Sequence, residues 1–96
     1  MRTHYFVKLT PRRPRFGVDM TPEEKTLMEA HAAYWGEMMK QGHVHVFGPV
    51  MDDSGMYGMG VVNAESPEDI EEMLAEDPAR PLMTMSISPM QAYLPA

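Results

Sequence analysis

The most constraining stretch of this sequence is a helix whose two ends are both marked. Thr21-Pro22-Glu23-Glu24 offers a capping hydroxyl, a proline at the first helical position and a glutamate three residues past the cap. Two backbone donors are then satisfied reciprocally, and the proline gives up none that the helix would have used. Gly42 supplies the stop. Between these points Leu27, Met28, Tyr34, Trp35, Met38 and Met39 recur at three- and four-residue spacings on one arc, while Lys25, Glu29, Gly36, Glu37 and Lys40 fall outside it. A helix with one apolar side needs a surface to lie on. His31 sits inside the apolar arc, so the side-chain type best able to exchange a proton near neutral pH faces that surface and not water.

Strand-like segments on both sides of the helix supply the surface. Tyr5, Val7 and Leu9 alternate with His4, Phe6 and Lys8, the two-residue period of a strand. Residues 43–50 are β-branched and aromatic, with His43, His45 and Phe47 expected on one face, Val44, Val46 and Gly48 on the other, and Pro49 at an edge or bend. Asp52-Asp53-Ser54-Gly55 has turn composition, and residues 56–62 complete a hairpin. Gly58 and Gly60 share a face of that strand and leave a bare patch for close approach by backbone, ligand or partner. Ser66-Pro67-Glu68-Asp69 starts a second helix with Ile70, Met73 and Leu74 as its apolar stripe, and Asp77-Pro78 ends it. Met83, Met85 and Ile87 alternate with Thr84, Ser86 and Ser88 in a last strand, broken at Pro89 and running on toward Leu94.

The order βαββαβ predicts one α+β domain over residues 1–96: a ferredoxin-like, four-stranded antiparallel sheet with two helices on one face. Its other face then needs solvent or a second copy of the chain, and strand one has little polar cover on either side, which predicts a homodimer stacked sheet to sheet. Residues 10–20 hold two prolines, a glycine and three arginines, and read as a long basic loop more mobile than the sheet, as does the 52–55 turn.

Charge and composition exclude several classes of function. A formal charge of −6, with half of the fourteen acidic residues between Glu65 and Asp77, is the opposite of a nucleic-acid footprint. The apolar runs are far shorter than a membrane span, and the N-terminal residues lack the apolar block of a signal peptide, so no membrane association is expected. With no cysteine there is no disulfide framework or thiol nucleophile, and a cytoplasmic setting is the expectation. Twelve methionines suit gap filling or a deformable pocket.

Three groups of residues could carry chemistry. His31 with Asp77 would make a general acid/base pair, because a carboxylate beside an imidazole fixes its tautomer and stabilises the imidazolium. Spacing alone favours His31 as a satisfied core histidine and Asp77 as a helix-end turn residue over a functional pair. His43-x-His45, with His4, could hold a metal, since histidines two apart on a strand share a face, but no third ligand is evident. Arg12, Arg13 and Arg15 could close over an anionic substrate, with Tyr34 adding a hydroxyl, or the loop could simply be solvated. Neither a phosphate-binding glycine loop nor a nucleotide fingerprint is present.

Taken in order, His31, Trp35, Gly42, Gly48-Pro49, a turn ending in Gly55, Ser66-Pro67-Glu68 and Asp77-Pro78 resemble the pattern of the YCII-related domain family. The resemblance covers residues 5–78 and implies a dimeric α+β barrel in which His31 and Asp77 are the catalytic dyad. It also implies lyase or dehydrohalogenase-type chemistry on small ring compounds. Gly48, Pro49, Tyr34, Arg13 and Arg15 are the expected substrate-binding residues. Two departures, the arginine-rich loop and Ala79-Arg80-Pro81 where an aromatic and a glycine often follow, bear on pocket shape. The expected function is proton abstraction with elimination or isomerisation of a small unsaturated molecule, anionic if the arginine loop closes over it, without a cofactor or metal. A non-catalytic module that holds a small ligand or regulates on the same barrel is the alternative.

Overall fold

A computed structural model describes residues 2–95. In it the chain runs β1 (Thr3–Pro11), α1 (Phe16–Asp19), α2 (Pro22–Lys40), β2 (Val44–Asp52), β3 (Gly55–Ala64), α3 (Pro67–Ala75), a 3-10 turn (Arg80–Leu82) and β4 (Met83–Met90). The four strands form one antiparallel sheet in the order β2-β3-β1-β4, so both chain-neighbouring and distant strands pair. This is the ferredoxin-like α+β layout.

The long helix forms as its ends predict. Thr21 Oγ1 accepts from the Glu24 N–H at 3.2 Å, the Glu24 carboxylate accepts from the Thr21 N–H at 2.9 Å, and Gly42 turns the chain out at φ +87°. Its buried stripe is narrower than the apolar arc. Trp35 is fully covered and Met28, Tyr34 and Met38 pack against the core, but Met39 is 38% exposed. Ser66 caps α3, whose Ile70 and Leu74 are buried.

Tyr5, Val7 and Leu9 point into the helix layer and lie opposite Val62, Gly60 and Gly58 of β3. On β2 the expected alternation fails at one residue. Val44 pairs with Val62 and Val46 with Val61, so His45 is an extra residue, a β-bulge that shifts the two-residue period by one. Val44 and Phe47 therefore share the buried side, whereas Val46 is turned outward and is 49% exposed. At Gly60 the Trp35 ring meets the sheet: a Cβ there would overlap Trp35 Cζ3, so only glycine leaves the indole its place against the strand. Gly58 has ordinary room, 3.4 Å to Leu9.

Residues 10–20 depart from an open loop. β1 continues to Pro11, α1 follows, and Phe16 is 2% exposed in the core. Arg13 fastens the segment, pairing with Asp19 at 2.9 Å and with Glu24 at 2.8 Å. The Arg13 hydrogen bond and the Thr21 N–H hold the Glu24 carboxyl down at about 2. At the other end β4 stops at Met90, short of the expected reach to Leu94, and Pro89 lies in this edge strand, where a missing N–H costs little.

Candidate active site

His31 and Asp77 meet. The imidazole comes from the middle of α2 and the carboxylate from the turn after α3, and Nδ1 lies 2.9 Å from both Asp77 oxygens. Two more donors converge on the same carboxylate: the Trp35 indole Nε1 at 2.7 Å on Oδ2, and the Ala79 backbone N–H at 2.8 Å on Oδ1. The Asp77 side chain has no exposed surface and that of His31 is 15% exposed. Burial pushes the carboxyl's pKa up, but the donors from His31, Trp35 and Ala79 outweigh it and hold the group below its ordinary value. An ionised Asp77 can only accept, so Nδ1 of His31 carries the hydrogen, and in the neutral ring Nε2 keeps a free lone pair.

His31 lines a cavity of about 290 Å³ between α2 and the sheet. β1 contributes Leu9 and Pro11, and α2 contributes Met28, Ala32 and Trp35. The β2–β3 hairpin contributes Phe47, Gly48, Pro49 and residues 56–59, with Met20 and Met83 completing the wall. Trp35 stands between His31 and Phe47, its ring centroid 5.9 Å from one and 5.8 Å from the other. The arrangement can take a proton from, or return one to, a small molecule seated against an apolar wall.

The expected binding residues divide. Gly48 and Pro49 line the cavity. Tyr34 does not: its hydroxyl donates to the Met73 carbonyl at 2.7 Å and faces a separate groove between α2 and α3, where burial and the charges of Asp77 and Glu76 push its pKa up. Three residues after His31 it stands on the flank of the same arc, and its bond to Met73 turns it toward α3. Arg13 is occupied by Asp19 and Glu24, and neither it nor the exposed Arg15 lines the cavity, because α1 folds the loop back on the start of α2.

His43 and His45 belong to a different network. Arg2 donates to His43 Nδ1 at 3.1 Å and to the Asn63 side-chain oxygen; the Asn63 amide donates to the Gly42 carbonyl and to His45 Nε2, both at 2.9 Å. The lone pairs that a metal would need already accept hydrogen bonds. Among the described residues no cluster of three His, Cys, Asp or Glu is placed to hold a metal. Trp35, read as core from its spacing, is also a partner of the dyad. The signal for this was its position: four residues after His31, it stands one turn along the same helical face.

The class these features define is a ferredoxin-like α+β domain with a histidine–carboxylate pair beside a small apolar cavity. The chain belongs to the muconolactone delta-isomerase family, whose pattern matches residues 4–95. The YCII-related resemblance led to the same class of fold, but the family matched within it is this one. Among solved structures, muconolactone isomerase superposes with a TM-score of 0.69 at 21% identity, over 94% of this chain and 90% of that one. A 5-chloro-2-hydroxyhydroquinone dehydrochlorinase from Burkholderia phenoliruptrix AC1100, in complex with 2,5-dihydroxybenzoquinone, superposes at 0.59 with 17% identity, over 91% and 93% of the two chains. At these identities the likeness is one of fold. No curated protein matches the chain. No helix among the described residues is long and apolar enough to cross a membrane.

Proposed function

We propose that this protein is an enzyme that moves a proton on a small unsaturated ring compound, isomerising it or eliminating a leaving group, with His31 as the proton carrier and Asp77 as its fixed partner. The observation that carries this is the buried, three-donor carboxylate behind Nδ1 of a histidine that lines an apolar cavity. Family membership supports the isomerase side, and the name of the dehydrochlorinase neighbour is consistent with elimination, which begins with the same step.

In this mechanism Nε2 of neutral His31 takes a proton from a carbon next to a carbonyl. The C–H electron pair moves into the conjugated system as an enolate, and the imidazolium that forms is stabilised by Asp77. For isomerisation, the same Nε2–H returns the proton to the far end of the conjugated system, so the double bond moves and nothing is gained or lost. For elimination, the electron pair expels a leaving group such as halide instead, and the proton leaves to solvent. Neither route calls for a cofactor.

The test is turnover of unsaturated lactones and halogenated hydroquinones by the parent, His31→Asn and Asp77→Asn. Each variant should lose about 10²–10⁴-fold in kcat, the range for a positioned general base. The double variant should be little worse than either single one, since the two act as a unit. Full activity in His31→Asn would overturn the proposal, and binding without turnover at any pH would make the protein a ligand-binding module instead. We further propose that the working form is a homodimer joined through the outward sheet face.

A further inference from the structure

Resting on the enzyme reading above, we propose that Trp35 is a positioning residue of the proton carrier: its indole N–H shares the charge of Asp77 and so sets how firmly His31 keeps a proton once it has taken one. A carrier that works by returning its proton needs a partner strong enough to favour the imidazolium and weak enough to let the proton go.

The geometry at the carboxylate leads to this. Nδ1 of His31 lies 2.9 Å from both oxygens, so neither is reserved for the imidazole. Trp35 Nε1 donates to Oδ2 at 2.7 Å, the shortest contact on the group, and the Ala79 N–H donates to Oδ1 at 2.8 Å. Each oxygen therefore divides its charge between the imidazole and one other donor. A buried carboxylate left to His31 alone would attract the imidazolium strongly, because little screening separates them in a poorly solvated site. The competing donors weaken that attraction without abolishing it. Of the two, the Ala79 N–H belongs to an ordinary turn in which an aspartate accepts from the backbone two residues on. The indole is the donor that a side chain supplies.

Two features of the fold bring the indole there. Trp35 stands one turn after His31, so one helix face delivers both donors to the same carboxylate, and the bare strand at Gly60 leaves the ring its place. Trp35 is 1% exposed and the Asp77 side chain has no exposed surface. The contact is thus complete within one chain, out of reach of a second copy.

The other ionisable groups around the pair act differently. Glu76, next to Asp77 in the chain, is exposed. Tyr34 of α2 donates to the Met73 carbonyl, its pKa pushed up by burial and by the charges of Asp77 and Glu76. Arg80, from the turn after α3, reaches toward Met85 Sδ at 3.8 Å. Tyr57 lines the cavity from β3, with the Lys8 ammonium of β1 4.6 Å over its ring. Burial pushes the Asp77 carboxyl up, and the donors from His31, Trp35 and Ala79, in that order, bring it below its ordinary value. Trp35 is therefore the side chain that competes with the imidazole.

Because Trp35 is the single tryptophan of the chain, the whole protein can be expressed with an analogue at that position alone. In one form the indole is replaced by benzothiophene, which keeps the two fused rings and has no N–H; in the other the ring carries fluorine, which makes the N–H a stronger donor. The readout is the pH midpoint at which His31 titrates by NMR, its signals distinguished from those of His4, His43 and His45 by their loss in His31→Asn. Removing the N–H should move the midpoint up by about 0.5–1 pH unit, a threefold to tenfold change in proton affinity, and fluorination should move it down. The acid limb of kcat/KM, which reports the neutral imidazole, should move with it in each form. A merely structural role predicts no such opposite pair of shifts. If the benzothiophene form does not fold, the fluorinated form decides alone. A midpoint that stays in place in either folded form, or two midpoints that move the same way, would overturn the inference, and would leave the enzyme reading intact wherever the parent turns over a substrate. Midpoints that move as expected in a protein that turns nothing over would uphold the hold of Trp35 on Asp77 and count against the enzyme reading.

Discussion

Asp77 is the residue on which the site depends most, because a carboxylate with no exposed surface is tolerable only while its donors stay in place. Trp35→Phe keeps an aromatic ring but removes one donor and part of the buried bulk, at an expected cost of about 1.5–3 kcal/mol for the hydrogen bond to a charged group and more for the gap it leaves. The variant also changes the acid response, with a definite sign. Asp77's folded-state pKa lies below its unfolded one, near about 3.9, so its contribution to stability is complete above the unfolded value and is lost as pH falls through the folded value. Losing the indole N–H lets the folded value rise, so acid unfolding of Trp35→Phe should begin at higher pH than in the parent. Circular dichroism during acid titration checks this, and superimposable acid limbs would show that the N–H does not hold the carboxylate.

At the level of elements, the contact between α2 and β3 sets where His31 stands. Gly60→Ala drives a methyl into the Trp35 ring, and since the obstacle is a rigid, buried indole, the expected loss is about 1–3 kcal/mol from overpacking. Gly58→Ala, two residues away on the same face, meets Leu9 at an ordinary 3.4 Å and should cost much less. Urea denaturation of the two variants separates the explanations, because a general intolerance of any side chain in this strand would make them alike. The bulge at His45 matters for a related reason. By bringing Phe47 onto the buried side it completes the aromatic wall beside Trp35, which an unbroken alternation from Val44 would not do.

The whole molecule has helices on one face of its sheet only. On the opposite face Val46, Val61 and Phe6 form a row across β2, β3 and β1, with Ser88 of β4 at its end. An apolar row of this kind at the middle of a sheet, with Val46 49% exposed, is suited to a second copy of itself around a two-fold axis. Sedimentation equilibrium at micromolar concentration should find a dimer for the parent and a shift to monomer for Phe6→Lys. A parent that stays monomeric would remove this part of the proposal.

Local sequence decided which segments become helix or strand, because caps, prolines and periodicity act within a few residues: Thr21 to Glu24, Gly42, Ser66 and the alternation from His4 to Leu9 all read correctly without tertiary information. The order of those elements was enough for the sheet and its helix layer. The meeting of His31 and Asp77 could be expected weakly from two helices that share one face of the sheet and more firmly from family resemblance, since 46 residues separate them and spacing carries no distance. Three things needed the folded chain. The bulge at His45 is a register adjustment between two strands, and neither strand encodes it alone. The fate of the arginines followed from charge partners, as Asp19 and Glu24 claimed Arg13 once α1 had formed. The role of Trp35 arose because one helical turn and a bare Gly60 bring an indole N–H to a carboxylate from the far side of α3. Short-range rules fix conformation, but partners for a buried charge are chosen by packing, and packing exists only in three dimensions.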